Sequence, residues 1–225
     1  MEVLSQDFLS TIFLTLKVAL ITTIILLFLS IPLGLFLSQS KSRFTPILEA
    51  VVSLPLVLPP SVLGFYLLIT FSPNSVIGKF LLDTFNIKLV FSFPGLIFGS
   101  ILFSLPFMVN PIVSGFSSLS KSLYEAALTL GKNKLEIIIF VLLPNIKRSI
   151  LSGCVLTFAH TIGEFGVVMM IGGNIAGETR VASIAIYDEV EALNYALAHK
   201  YALTLFIITF CILLITFYLN KKGVK

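Results

Sequence analysis

The chain has 225 residues, 57% of them hydrophobic and only 12% charged, with a mean hydropathy of +1.05. A water-soluble domain carries about a quarter charged residues, so this composition excludes a soluble enzyme or binding module and requires lipid as the solvent for much of the surface. The net charge of +4 and the pI of about 9.1 do not call for nucleic acid, because basic loops suffice and no aromatic–basic interleaving suggests a base-stacking surface.

Apolar stretches of about 20 residues can cross a hydrocarbon core roughly 30 Å thick. Five are predicted, over about 11–37, 47–71, 95–117, 149–171 and 200–219. The first is apolar from about Phe8 to Leu37, too long for a signal-peptide core of roughly 7–15 residues. Its leading residues, Glu2 and Asp7, are acidic where a leader is basic. It is read as a retained transmembrane helix, with Lys17 near its start able to snorkel outward.

The second span contains Leu54-Pro55-Leu56-Val57-Leu58-Pro59-Pro60-Ser61-Val62-Leu63-Gly64. Interior prolines remove backbone donors and clash with the preceding turn, and the freed carbonyls survive only against neighbouring helices, hydroxyls or a water-lined cavity. The third span repeats the theme with Pro94, Pro106, Asn110 and Pro111. Two readings stay open for both: packing kinks, or a pathway or gate. Gly95 and Gly99 form a small-xxx-small step, read as helix packing.

About 30 residues too polar to be another span lie between the third and fourth, with the loop proper over about 120–144. Ser122 and Glu125 have capping-box spacing, as do Asn133 and Glu136. Gly131 between them suits a helix C-terminus that needs a left-handed residue. The pattern predicts two short helices with a tight break. Capping alone does not demand the two small residues after Glu125, and Ala126 and Ala127 would let that helix seat closely in a groove on another protein.

The fourth span is the most polar. Thr157, His160, Thr161 and Glu164 recur at spacings of three and four and share one helical face. An ionisable residue in a membrane is a functional-site hypothesis by default; the alternative is a His160–Glu164 pair at i,i+4 that stabilises the helix. Glu164 repels an anion and is no ligand for one, whereas the Thr157 and Thr161 hydroxyls are neutral donors suited to conduction. His160 through Glu164 is not the His-Glu-x-x-His arrangement that holds zinc, so no catalytic or metal-binding residues are assigned. Cys154 and Cys211 read as small buried hydrophobes.

Basic residues set the orientation. Lys41, Arg43, Lys121, Lys132, Lys134, Lys147, Arg148, Lys221, Lys222 and Lys225 fall on one side of the five-span arrangement, against Lys79, Lys88, Arg180 and Lys200 on the other. By the positive-inside rule the N-terminus is outside and the C-terminus cytoplasmic. Arg180 and Lys200 then face outward, where they would steer an anion or contact an external protein. The acidic run Asp188, Glu189 and Glu191 is a solvated helix or a docking surface.

Glu125-Ala126-Ala127, three residues, Gly131, nine residues, then Val141-Leu142-Leu143-Pro144 resembles the EAA signature of ABC importer permeases, E-A-A-x3-G-x9-I-x-L-P. The one departure is Val141 for isoleucine. Leu54 through Gly64, Gly163-Glu164-Phe165-Gly166 and Asn174 through Arg180 are similar to the molybdate branch, with Ala176 where that branch often has proline. The resemblance spans nearly the whole chain. It implies an all-α integral membrane protein of about five transmembrane helices, like a type I ABC importer permease, forming a single permease domain over 1–225. Glu125, Ala126, Ala127 and Gly131 would belong to a cytoplasmic coupling helix, and Thr157, Thr161 and Glu164 to a translocation path. It also implies a second copy of the chain, a separate ATPase subunit that binds ATP and Mg, and an external oxyanion-binding protein, all at a bacterial inner membrane. The chain carries no Walker A phosphate loop of its own. Sulfate or tungstate is the alternative substrate; an intramembrane enzyme or an ATPase-independent channel is the alternative of another class.

Overall fold

The computed structural model describes residues 2–222, with side chains described for 6–216 and 218. Of the charges used above, Lys225 lies outside the described residues, as do the side chains of Glu2, Lys221 and Lys222. The described chain is helical: α1 (Glu2–Gln39), α2 (Thr45–Ser53), α3 (Pro60–Phe71), α4 (Val76–Phe85), α5 (Phe93–Ser117), α6 (Lys121–Thr129), α7 (Lys134–Ile137), α8 (Leu143–Asn145), α9 (Lys147–Gly163), α10 (Gly166–Gly172), α11 (Ala182–Glu191) and α12 (Tyr195–Lys222). Three stretches are long and apolar enough to cross a membrane singly: Gln6–Gln39, Phe93–Ser117 and Tyr195–Thr216. Two further pairs reach that standard as bent helices, at 106° and 72°, for up to five spans in all.

The second predicted span is one of the bent pairs. α2 tightens into a 3₁₀ turn at Leu54–Leu56, and the chain then swings 106° into α3. Pro59 is extended (φ −55°, ψ 133°) because the residue before a proline is driven out of the helical region, and Pro60 opens α3 where a missing donor costs nothing. The third span behaves otherwise. Pro94 sits in the first turn of α5, and the helix runs on through Pro106 and Pro111 without a break. α5 is the central helix, with α1, α9 and α10 packed along it, a setting in which neighbours compensate for prolines. Of the two glycines singled out there, only Gly99 is a helix contact, where a Cβ would lie tightly against Val167 and Ile171 at 3.0 and 3.2 Å; Gly95 lies under the Leu89 carbonyl where the chain enters α5.

The other bent pair is Lys134–Asn145 with Lys147–Gly163, 72° apart, so it begins within the stretch read as a polar loop rather than at about 149. Over the predicted fourth span the helix is divided as well. α9 ends at Gly163, Glu164 and Phe165 leave the helix, and α10 begins at Gly166. The loop helices differ from expectation in one respect. α7 continues through a π-helical stretch, Ile138–Leu142, into α8, so the second of them is longer than predicted. A proline clashes with the carbonyl four residues before it, and the widened turn directly ahead of Pro144 takes the chain out of that register.

Lipid tails are as apolar as leucine, so helix association here rests on close packing and polar ties rather than on expulsion of water. A Cβ at Gly34 would sit 2.6 Å from Ile112, which lets α1 lie directly on α5. At the other end of α1, Thr15 accepts from the Ala182 amide at 2.8 Å and fixes the start of α11. Lys17 reaches toward the start of α5, with its ammonium 4.7 Å from the Phe93 ring centre. Cys154 is half-buried and Cys211 exposed, so only the first fits the expected buried role. On a span, Cys211 faces lipid or a neighbouring chain.

Candidate functional site

Two regions carry the residues singled out in the sequence. The first is α6, at the end of the bundle where α1 and α5 finish. The expected capping box at Ser122 is not formed. The helix starts earlier, with Ser120 in the N-cap position, and the Ser122 hydroxyl donates back to Ser120 at 3.0 Å. The second capping box is present: Asn133 accepts from the Glu136 amide at 2.9 Å, and the Glu136 carboxylate accepts from the Asn133 amide at 3.0 Å.

Gly131 closes α6. Its φ of +75° lies in the left-handed region. The Lys132 amide donates to Ala127 at 3.2 Å and the Gly131 amide to Leu128 at 2.9 Å, the paired bonds of a Schellman end. Nothing lies within 4 Å of a Cβ built on Gly131, so its backbone conformation, not crowding, calls for glycine.

The two alanines face opposite ways. Ala127 is 6% exposed and packs in a cluster with Ile137, Leu142, Ile146, Ile112 and Phe116, whereas Glu125 and Ala126 are exposed. Ala127 thus fits α6 to its own chain, and the outward small residue is Ala126. Beside it stand Leu128, 45% exposed, Leu130, 80%, and Leu135, 70%. The motif did not reveal these leucines. A leucine directly before the helix-ending Gly131 and another four residues after it, among Lys132, Asn133 and Lys134, was the available signal.

The second region is where the two broken spans meet. A Cβ on Gly166, at the start of α10, would lie 2.6 Å from Cβ of Pro60 and 3.2 Å from the Ser61 amide. Gly64 one turn along α3 is as close to Met170, at 2.7 Å. The starts of α3 and α10 are therefore in backbone contact, and the break at Pro59–Pro60 lies against the break at Gly163–Gly166. Neither break alone identifies this junction; their sequence separation is about a hundred residues.

Thr157, Thr161 and Glu164 are all buried, at 0%, 5% and 3% exposure. Ser104 of α5 joins this seam, 2.9 Å from the Thr161 hydroxyl and 3.0 Å from Nδ1 of His160, and Thr161 also donates to the Thr157 carbonyl at 2.8 Å. His160 stacks on Phe107 with ring centres 3.9 Å apart and leans on Phe103 at 4.9 Å. The alternative reading, a His160–Glu164 pair, is not found among the described ion pairs. The helix ends at Gly163, so Glu164 leaves the i,i+4 register and turns away. Its carbonyl accepts from Ser183 at 2.5 Å, tying the break to α11. Its carboxylate lies beside Ser100 without completing a hydrogen bond of ordinary geometry, and the Ser100, Thr157 and Thr22 hydroxyls are likewise unsatisfied. Each such buried group costs about 1–3 kcal/mol when left unpaired. Groups this costly mark a place where the resting packing does not meet every polar demand.

Arg180 does not stand free for an anion. Its guanidinium donates to Asp188 at 3.0 Å and lies 3.7 Å from Glu189, and Asn174 also donates to Asp188. The acidic run is thus largely Arg180's counter-charge, and it pins the 174–180 stretch onto α11. Glu191 accepts from the Tyr187 hydroxyl at 2.6 Å. Lys200 is exposed and sits over the Phe8 ring at 4.2 Å.

Residues 30–222 match the model of the family described as "binding-protein-dependent transport system inner membrane component". The chain is 41% identical to the molybdenum transport system permease protein ModB of Azotobacter vinelandii over 93% of both chains. It is 29% identical to the putative molybdenum transport system permease protein YvgM of Bacillus subtilis, over 97% of this chain and 95% of that one. In fold it resembles a bacterial ABC transporter that imports the acidic polysaccharide alginate, with a TM-score of 0.79 and 19% identity over 97% of this chain and 80% of that one. The bundle of bent and unbroken spans, closed at one end by an exposed EAA helix, belongs to the binding-protein-dependent inner membrane permeases of ABC importers, and this chain is a member of that family.

Proposed function

We propose that the chain is the permease subunit of an ATP-driven molybdate importer, passing the anion from an external binding protein to the cytoplasm. The observation that carries the substrate is the similarity to the Azotobacter molybdenum permease along nearly the full length of both chains. Two copies form the pore. A partner ATPase binds ATP and Mg beneath α6; the excess of basic residues in the loops on that side supports a cytoplasmic α6 face with the N-terminus outside.

Glu125, Ala126 and Gly131 form the coupling contact in this reading, with Ala127 holding α6 to its own bundle. The support is an outward face made of one small residue flanked by exposed Leu128 and Leu130, a surface suited to a groove on a partner. Thr157, Thr161 and Glu164 line the path only when the junction of α3 and α10 shifts relative to α5, because all three are buried in this conformation. Closure of the ATPase moves α6. That motion reaches the junction through α5 and α9, which flank the coupling loop in sequence. ATP and substrate shift this equilibrium only by their differential affinity for its two states.

The test is uptake of molybdate into vesicles that hold the chain with its ATPase and binding protein, with excess sulfate or tungstate as competitor. Sulfate-resistant, ATP-dependent uptake is the expected result. Abolition by sulfate moves the substrate to sulfate, and no ATP-dependent uptake of any of the three overturns the oxyanion reading.

A further inference from the structure

α4 belongs to none of the spans. It is strung between the end of α3 at Phe71 and the start of α5 at Phe93. Only Ser72 to Ser75 separate it from α3, and four residues reach at most about 14 Å. The actual approach is tighter. The Ser75 hydroxyl bonds the Thr70 carbonyl at 2.5 Å and the Ser72 carbonyl at 2.8 Å, and it accepts from the Gly78 amide at 2.9 Å. A Cβ on Gly78 would collide with the Phe71 and Ser72 carbonyls. The first turn of α4 is therefore locked onto the end of a span, and α4 sits at the level where that span ends.

The exposed surface of α4 divides by chemistry. At 3.6 residues per turn, Val76, Phe80 and Ile77 fall within about 100° of one another, with exposed Thr84 the one polar residue among them, and Lys79 and Asp83 occupy the adjoining flank within about 40°. Gly78 is buried and Leu81 and Leu82 are half-buried, so the opposite side faces the bundle. Val76 is 88% exposed, Phe80 58% and Ile77 48%. Lys79 and Asp83 are also exposed, and neither joins an ion pair among the described residues.

We propose that α4 lies in the membrane–water interface, with Val76, Ile77 and Phe80 dipping into the acyl boundary and Lys79 and Asp83 turned to water. The occupant of the apolar flank is the lipid surface. The covalent tether and the locked first turn hold the helix at the bilayer boundary. An apolar flank beside a charged one is the pattern of a helix lying in that plane. Lys79, and Lys88 just past the helix end, are placed to meet headgroup phosphates. A second copy of the chain seated on this face would have to desolvate Lys79 and Asp83 beside Phe80. The inference needs the spans to be in a bilayer; it needs neither the molybdate assignment nor the orientation, so a failed uptake assay leaves it standing.

The test places single nitroxide labels at Val76→Cys, Lys79→Cys, Phe80→Cys and Asp83→Cys in a Cys154→Ala, Cys211→Ala background. Each variant is assembled with its ATPase in lipid nanodiscs. Collision with oxygen, which partitions into lipid, is compared with collision with a water-soluble nickel chelate. The oxygen-to-nickel ratio is expected to be several-fold higher at 76 and 80 than at 79 and 83. Equal, high nickel collision at 79 and 80 overturns the proposal and makes the flank a water-facing docking surface. Loss of both collisions at 76 and 80 also overturns it, and assigns the flank to a protein contact.

Discussion

α6 and the junction of α3 with α10 differ in how their chemistry is held. α6 is a nine-residue helix on the surface, fixed by its own ends: a Schellman turn at Gly131 and one inward alanine. The junction is made of residues far apart in sequence, pressed together so closely that Gly166 admits no side chain against Pro60, with unsatisfied polar groups packed nearby. A contact surface tolerates almost any outward residue of the right size. A buried junction that must move tolerates almost none, and the comparison implies that substitutions there act on folding first and on transport second.

The largest expected effect follows from the junction. Gly166→Leu would drive a side chain into Pro60 and Ser61, and overpacking of this kind costs about 1–3 kcal/mol or more. The prediction is a marked fall in folded yield and melting temperature in detergent; a wild-type melting curve would show that α3 and α10 are not packed as described. Next, the two alanines of the motif should separate. Ala127→Leu is expected to lose about 1–3 kcal/mol by overpacking the cluster around Ile137 and Leu142, whereas Ala126→Leu should stay within about ±0.5 kcal/mol. Equal melting temperatures for the pair would dissolve the inward–outward distinction.

Ser104→Ala removes the hydroxyl that His160 and Thr161 share. About 1–3 kcal/mol of destabilisation is expected from the groups left unpaired, and restoration by Ser104→Thr would tie the effect to the hydroxyl. The smallest of the expected losses belongs to the far end of the bundle. Asp188→Asn weakens a partly exposed pair with Arg180, worth at most about 1 kcal/mol, and the difference from wild type should shrink in high salt. An effect several times larger would mean that the 174–180 stretch is held by Asp188 far more tightly than its exposure indicates.

The first, second, third and fifth spans, the break at Pro59–Pro60 and the end of α6 at Gly131 were legible in the sequence because each depends on local chemistry: runs of apolar residues, a missing donor, a left-handed backbone. The break after Gly163 was not, since Gly163-Glu164-Phe165-Gly166 contains no proline and reads as a continuous helical face through Glu164. Its contact with Pro60 is tertiary. The same holds for Ala127, whose inward turn depends on where Ile137 and Leu142 return, and for Arg180, which lies in the loop before α11 while its partners sit eight and nine residues on, within that helix. Pro106 and Pro111 erred in the other direction: their local chemistry suggests a break, and the helices packed along α5 override it.

The division of roles between α6 and the buried junction is tested most directly by Ala126→Asp, with ATP hydrolysis and molybdate uptake measured in the same vesicles. The variant is expected to insert and melt like wild type, because residue 126 faces outward, while hydrolysis no longer drives uptake. Wild-type rates of ATP-dependent uptake would contradict the account and remove α6 as the coupling contact.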